Sequence, residues 1–248
     1  MITEQAFQVS LTTLEPFRIG GIGDPLAAAD NPVAIVGSQI TIPGSSLKGA
    51  LRAKMEEHLL GQYYDQRNRR WQQDQIAMQP CMAGTRLSPD EEQLLREGKY
   101  RREPCTYPLK SPSATICPSC YLLGAQGLTG FLRVPFLFSE VSPDALYSAR
   151  IDRATHTVAQ GTNRPYQLIP PGATFRGILY VMLSDDVLGW RLGQPRPLGG
   201  DLWLKDGSWS HERIIKELII ERLQSIQILG GYKSKGFGRV KITVTPVK

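Results

Sequence analysis

The apolar residues of this chain switch repeatedly between the alternation of a strand and the spacing of a helix, and that succession constrains the fold most. Phe7, Val9 and Leu11 alternate with polar neighbours across residues 6–14, the period of a half-buried strand. A short extended stretch over 33–42 runs into Pro43-Gly44. Leu47, Leu51, Met55 and Leu59 then recur at helical spacing, with Ser45 or Ser46 placed to cap the helix. Strand patterns return over 130–141 and 174–183. Ser210 can cap a last helix whose Ile215, Leu218, Ile219 and Ile226 share one face, and the strand 240–244 closes the chain. Two strand–helix–strand passages around one mostly antiparallel sheet predict an α+β sandwich of ferredoxin type. At 248 residues there is ample core for one large domain or two small ones. No internal repeat is visible.

Two stretches interrupt the pattern. From Gln62 to Ser113 the texture turns to Gln, Arg, Pro and Cys with little periodicity. The exception is Ser88-Pro89-Asp90-Glu91, a capping box with proline in the first helical turn. This stretch reads as an insertion, bounded at 62–120, without a core of its own. All four cysteines, Cys81, Cys105, Cys117 and Cys120, lie inside or at the border of it. The two-residue gap of Cys117-Pro-Ser-Cys120 lets both thiolates reach one tetrahedral ion, and Cys81 with Cys105 completes a four-thiolate structural zinc site. A redox pair of thioredoxin type expects a βαβ setting that the sequence lacks, and free buried thiols are the bland alternative. The second stretch, 149–171, is rich in Arg, Thr, Asn and Pro and reads as a protruding hairpin or loop.

Near the end, Gly230-Gly231-Tyr232-Lys233-Ser234-Lys235-Gly236-Phe237-Gly238-Arg239 combines bare backbone, positive charge and aromatic faces. Polyanions approach glycine amides closely, Lys and Arg neutralise phosphates, and Tyr232 and Phe237 offer stacking faces for bases. The competing reading is a turn with solvated charges. A formal net charge of +6 and a pI near 9.2 favour a polyanionic partner. No apolar run reaches the ~18–20 residues of a membrane span, and the N-terminus lacks a signal-peptide pattern, so a cytoplasmic protein without membrane partners is expected. Pro43-Gly44-Ser45-Ser46-Leu47-Lys48-Gly49 fails as a nucleotide phosphate loop, because Ala50 follows Gly49. It still offers a helix N-terminus, two hydroxyls and Lys48 to a backbone phosphate, with Arg52 one turn on along the same face.

Several motifs occur together in fixed order: Phe17-Arg18-Ile19-Gly20-Gly21, Asp30-Asn31-Pro32-Val33, Ile42-Pro43-Gly44-Ser45-Ser46-Leu47-Lys48-Gly49-Ala50-Leu51-Arg52, and the terminal decapeptide. As a set they resemble the RAMP superfamily (repeat-associated mysterious proteins) of CRISPR systems. Within it the chain looks most like the backbone subunit of type III effector complexes. The resemblance covers roughly residues 6–60 and 117–245. It implies a single domain over 1–248 with a modified ferredoxin-like, RNA-recognition-motif fold: a palm, a thumb hairpin at about 151–167, and a zinc-binding insertion. The cysteine-bearing insertion departs from the simplest members and is similar to the zinc-binding versions of type III-D and fused single-chain effectors.

The resemblance further implies that copies of such a subunit stack along a CRISPR RNA, and that each thumb displaces a base pair of the guide–target duplex. By position, Asp30 matches the aspartate that cleaves target RNA, with Asp24 as the neighbouring carboxylate. Arg18, Gly20, Gly21, Ser45, Ser46, Lys48, Arg52, Arg153, Lys233, Ser234, Lys235 and Arg239 match RNA contacts, and Leu122-Leu123-Gly124 matches a short family motif. The implied partners are CRISPR RNA, target RNA and other effector subunits. The implied cofactors are structural Zn and, at the cut, Mg or another divalent ion. RNA supplies its own 2′-hydroxyl nucleophile, so one carboxylate that moves a proton suffices; for Asp30 the bland role is a turn residue before Asn-Pro. Two alternatives stand beside cleavage: a non-catalytic scaffold, and an endoribonuclease that processes CRISPR RNA with a histidine base, for which His58, His156 and His211 are the candidates.

Overall fold

The computed structural model describes residues 1–21, 32–82, 87–162 and 164–247. The alternating N-terminal segment is strand β1 (Ile2–Thr13), which buries Phe7, Val9, Leu11 and Thr13 on one face. Short strands β2 (Ile35–Val36) and β3 (Gln39–Ile42) lead into helix α1 (Gly44–Tyr63). Next come a small hairpin of β4 (Tyr64–Asp65) and β5 (Arg70–Trp71), helix α2 (Pro89–Arg96) and helix α3 (Pro118–Leu123). Strands β6 (Leu132–Arg133) and β7 (Leu137–Ser139) follow, then β8 (Asp144–Ser148), β9 (Arg164–Leu168), β10 (Thr174–Asp185), β11 (Trp190–Arg191) and, last, β12 (Val240–Pro246). The helical run before β12 joins His211–Arg213, a π-helical Ile214–Ile220 and Glu221–Gln224; this run over 211–224 is α4.

The main sheet runs β12-β1-β10-β7-β3-β2, with β6 and β11 also paired to β10, and among the described residues its strand pairs are antiparallel. Register explains its core face. Leu11 lies opposite Phe175 on β10 and Ile242 on β12, and Val9 lies opposite Val244, so buried apolar side chains form rows across three strands. Onto this face pack Leu47, Leu51, Met55 and Leu59 of α1 and Ile214, Leu218, Ile219 and Leu223 of α4, all within one apolar cluster. Each fully buried Leu, Ile or Phe contributes about 1.5–3 kcal/mol over its exposed state. The sheet and its two covering helices therefore carry the fold, a mixed α/β arrangement with a large antiparallel sheet as expected.

Several local expectations change. Neither Ser45 nor Ser46 caps α1: Pro43 holds the N-cap position without a side-chain bond, and both serines lie inside the first turn. The 130–141 strand is broken into β6 and β7 around Val134-Pro135-Phe136, since Pro135 has no N–H for a ladder. The Ser88 capping box is present with both reciprocal bonds, and the Ser210 hydroxyl accepts from the Arg213 N–H. The segment after α1 is not without a core. Tyr64, Trp71, Met78 and Ile116 are buried, Tyr64 meets Trp71 edge-on, and the Trp71 indole donates to the carbonyls of Gly98 and Lys99. The polar stretch 149–171 does form a hairpin, but its strands start earlier, at β8, and pair Asp144 with Leu168 through Ser148 with Arg164.

Candidate nucleic-acid cleft and metal centre

The two glycine-rich loops meet. The N–H of Gly231 donates to the Arg18 carbonyl at 2.8 Å and that of Gly238 to the Pro16 carbonyl at 3.0 Å. Gly230 makes the approach possible: its φ is +89°, and a Cβ there would stand 2.4 Å from the Arg18 carbonyl oxygen. The Arg18 guanidinium carbon lies 4.9 Å from the Tyr232 ring centre and the Lys235 ammonium 4.6 Å from it. Tyr166 of β9 packs edge-on against Tyr232 at 5.6 Å, which ties the root of the β8–β9 hairpin to the terminal loop. Gln167 beside it accepts from the Val33 N–H through its side-chain carbonyl.

Between these loops and the start of α1 opens a cleft of about 630 Å³, lined among others by Gly20, Ser45, Ser46, Gly49, Ala53, Lys54, Gly230, Gly231 and Lys233. Small side chains, hydroxyls, bare backbone and two lysines share its walls with the apolar Ile19, Ile226, Ile228 and Leu229. A chain of phosphates fits that chemistry, because glycines and small residues admit a backbone and the first-turn N–H groups of a helix favour anions. Ser45, Lys233, Ser234 and Lys235 are exposed. Gly21 does not line this cleft but a neighbouring pocket with Pro32 and Val33, and its N–H donates to the Pro32 carbonyl at 3.0 Å.

Other anticipated contacts lie elsewhere. Lys48 is exposed on α1 but is not part of the cleft lining. Arg239 is exposed, 3.8 Å from Glu15, and Arg153 is exposed in the loop of the β8–β9 hairpin. Phe237 is buried, so its ring is not a free stacking face, and Tyr232 is half-buried beneath two cations. Asp24 and Asp30 fall outside the described residues. Of the histidines, His58 has Arg222 3.2 Å from its Nδ1, His156 sits at the hairpin turn with a φ of 55°, and His211 faces Glu212. None of them lines the cleft. Sequence reasoning missed Lys54, Tyr166 and Gln167; Lys54, one helical step from Ala50 and Ala53, carried the only local signal.

Arg52 points away from the cleft. Its guanidinium donates to Cys120 Sγ and Cys81 Sγ, both at 3.5 Å, and to the Cys81 carbonyl at 3.3 Å, while Nε lies 2.8 Å from a Glu56 oxygen. Burial works against its charge, but the sulfurs, Cys120 foremost, and Glu56 hold the arginine above its ordinary value. Burial pushes the Glu56 carboxyl up to about 7, with Arg52 pulling it back.

The four sulfurs form one buried group. Cys81 and Cys120 are 3.5 Å apart, Cys105 and Cys117 3.7 Å, Cys81 and Cys117 4.0 Å, and all lie within 4.8 Å of one another. Zinc–sulfur bonds of ~2.3 Å in a tetrahedron require sulfur separations of about 3.8 Å, so the donor set fits a four-thiolate zinc site. Cys117 is the N-cap of α3 and Cys120 lies in its first turn, so the helix start presents both. The thiols share their protons: hydrogen bonds among them hold Cys81 below the usual thiol range and push Cys105 and Cys120 above it.

An antiparallel sheet covered by two helices, with two glycine-rich loops closing on a helix start, fits the ferredoxin-like class of fold. The chain belongs to the RAMP superfamily, whose sequence model matches residues 10–241. Membership makes it a CRISPR-associated RNA-binding subunit, with CRISPR RNA and other effector subunits as its general partners. No curated protein matches the sequence. None of the described helices is long and apolar enough to cross a membrane.

Proposed function

We propose that this protein is a guide-binding backbone subunit of a type III CRISPR effector complex, of the III-D-like kind, and that it cleaves target RNA. The observation that carries the reading is the cleft itself. Two loops distant in sequence close on the start of α1 and leave glycines, serine hydroxyls and lysines facing one groove. In this reading the groove holds the guide backbone, Lys233, Ser234, Lys235 and Arg239 act from one side and Ser45, Ser46 and Lys48 from the other. The β8–β9 hairpin, with Arg153 in its loop, is the thumb.

Cleavage is assigned to Asp30. The Gly21 N–H bonds the Pro32 carbonyl, so the segment that carries Asp30 leaves and rejoins the chain beside Gly20, which lines the cleft, and this supports the assignment. The carboxylate would take the proton of the target 2′-hydroxyl, whose oxygen attacks the adjacent phosphorus and expels the 5′-oxygen, which takes a proton from water. The products are a 2′,3′-cyclic phosphate and a 5′-hydroxyl. Zinc, held by Cys81, Cys105, Cys117 and Cys120, contributes folding energy to segment 62–120 and takes no part in this step.

The test is target cleavage by the reconstituted complex carrying Asp30→Ala. Guide and target binding should persist, and cleavage at this subunit's site should fall by the ~10²–10⁴-fold expected for loss of a proton-transfer group. A target with 2′-deoxyribose at the cut should resist equally. If Asp30→Ala cuts normally and Asp24→Ala does not, the assignment is wrong; if neither matters, the subunit is a scaffold.

A further inference from the structure

The thiolate cluster is contacted by two arginines that come from different parts of the chain. Arg52 belongs to α1, outside the cysteine-bearing segment, and reaches Cys81 Sγ and Cys120 Sγ at 3.5 Å each. Arg101 belongs to that segment and donates to Cys105 Sγ at 2.7 Å and to the Thr115 carbonyl at 2.7 Å, with its other terminal nitrogen on the Thr115 hydroxyl. Three of the four sulfurs thus carry a guanidinium donor, and each arginine is fixed a second time by a carbonyl.

Charge gives this arrangement a purpose. A divalent ion on four thiolates has a net charge of −2, and burying it uncompensated is costly. Two guanidinium groups at hydrogen-bond distance offset that charge, partly countered by the Glu56 carboxylate on Arg52, and N–H donors on a thiolate sulfur lower its electron density and its reactivity toward electrophiles. Both effects favour a closed, inert site. Glu56 fits as the group that orients Arg52, since its carboxylate grips Nε and leaves both terminal nitrogens for Cys81 and Cys120.

We propose that Arg52 and Arg101 are positioning residues of the metal centre, neutralising the tetrathiolate site and, through Arg52, fastening the cysteine-bearing segment to the helix that forms the cleft. This rests on the zinc reading above. It also reassigns Arg52, expected from its place on α1 to contact RNA, to a structural and electrostatic role. Metal loading is thereby connected to α1: the helix that offers Ser45, Ser46 and Lys54 to the cleft has its neighbouring face held by the cluster.

The test measures zinc content by elemental analysis, zinc retention by competition with a chromophoric chelator, and the rate at which a thiol-alkylating reagent modifies the cysteines. The proteins are the full chain and its Arg52→Gln, Arg52→Lys and Arg101→Gln variants. Wild type should carry one zinc. The glutamine variants should hold it roughly 10–100-fold more weakly, the usual consequence of losing an outer-shell partner, and should be alkylated faster. Arg52→Lys, which keeps the charge but not the fork, should recover part of the retention. Cobalt-loaded protein gives a readout that general loosening would not mimic, since the sulfur-to-cobalt charge-transfer band should shift in Arg52→Gln while four thiolates remain bound. Zinc-loaded wild type with variants of unchanged retention, alkylation and cobalt spectrum overturns the arginine proposal alone. A wild type without metal overturns the zinc reading and this proposal with it.

Discussion

Gly49 lies in the interior of α1, on the face that lines the cleft, and its replacement by alanine separates what the helix needs from what its partner needs. A glycine inside a helix costs about 0.8–1 kcal/mol relative to alanine, through backbone entropy alone. The structure offers no offset, because a Cβ built at Gly49 meets no heavy atom within 4 Å. Gly49→Ala should therefore stabilise the free protein by nearly that full amount, a rise in Tm of about 2–4 °C for a domain of this size. A methyl group in the cleft would hold a phosphate away from the helix. Losing one hydrogen bond to a charged group costs about 1.5–3 kcal/mol, roughly 10–100-fold in affinity. The assays are thermal denaturation without RNA and fluorescence anisotropy with a labelled unstructured RNA. A variant that is more stable yet binds RNA as well as wild type would refute the placement of RNA against this face.

Lys233→Ala with Lys235→Ala should flatten the salt dependence of RNA binding. At a slope of ~0.7 per phosphate on a single strand, two lost contacts reduce it by about 1.4, so the variant loses roughly sevenfold less affinity between 50 and 200 mM salt. An unchanged slope would mean that the terminal loop does not touch the RNA backbone. Cys117→Ser should speed amide hydrogen exchange across 62–120 and leave the sheet protected, because Tyr64, Trp71 and Met78 retain a small core there. His58 is held below its ordinary value by burial and by Arg222, so the unfolded chain takes up that proton more readily than the folded protein. The His58 contribution is then fully present above about pH 6.5 and declines as pH falls below it, so His58→Gln should gain on wild type in urea-denaturation midpoint as pH falls from 6.5 to 5.

The elements that sequence made legible are those in which a local period determines burial. The rows at Phe7, Val9 and Leu11 and at Leu47, Leu51, Met55 and Leu59 are buried because each period leaves only one face for the core. Cysteine spacing was informative for a similar reason, since a two-residue gap fixes a pair in space wherever the rest of the chain runs. What escaped depends on neighbours far away in sequence. Tyr232 reads as an open stacking face until Arg18 and Tyr166 arrive from elsewhere to cover it. The π-helical stretch at Ile214–Ile220 shifts the phase of an apolar face, so Ile214 and Leu223 are buried although the expected stripe named neither.

Helix α1 shows where the limit lies. Its residues divide into a buried row at 47, 51, 55 and 59, a small and polar row at 45, 46, 49, 50, 53 and 54, and a row at 48, 52 and 56. Spacing correctly puts Lys48 and Arg52 on one face, but spacing says nothing about what faces them. A helix packed against a sheet has two flanks between core and solvent, and here they have opposite partners. The small row borders loops that close on it from both ends of the sequence, leaving room for a polyanion. On the charged row Arg52, with Glu56 beside it, meets the four-sulfur cluster, which demands cations of its own. A cation on α1 is thus best placed for RNA on the small-residue flank, while the exposed Lys48 acts from outside the cleft and Arg52 is occupied by the cluster. By that criterion Lys54 is the better-placed cation: it lines the cleft, and its ion pair with Glu57 at 2.6 Å is a partly exposed one that a phosphate can displace.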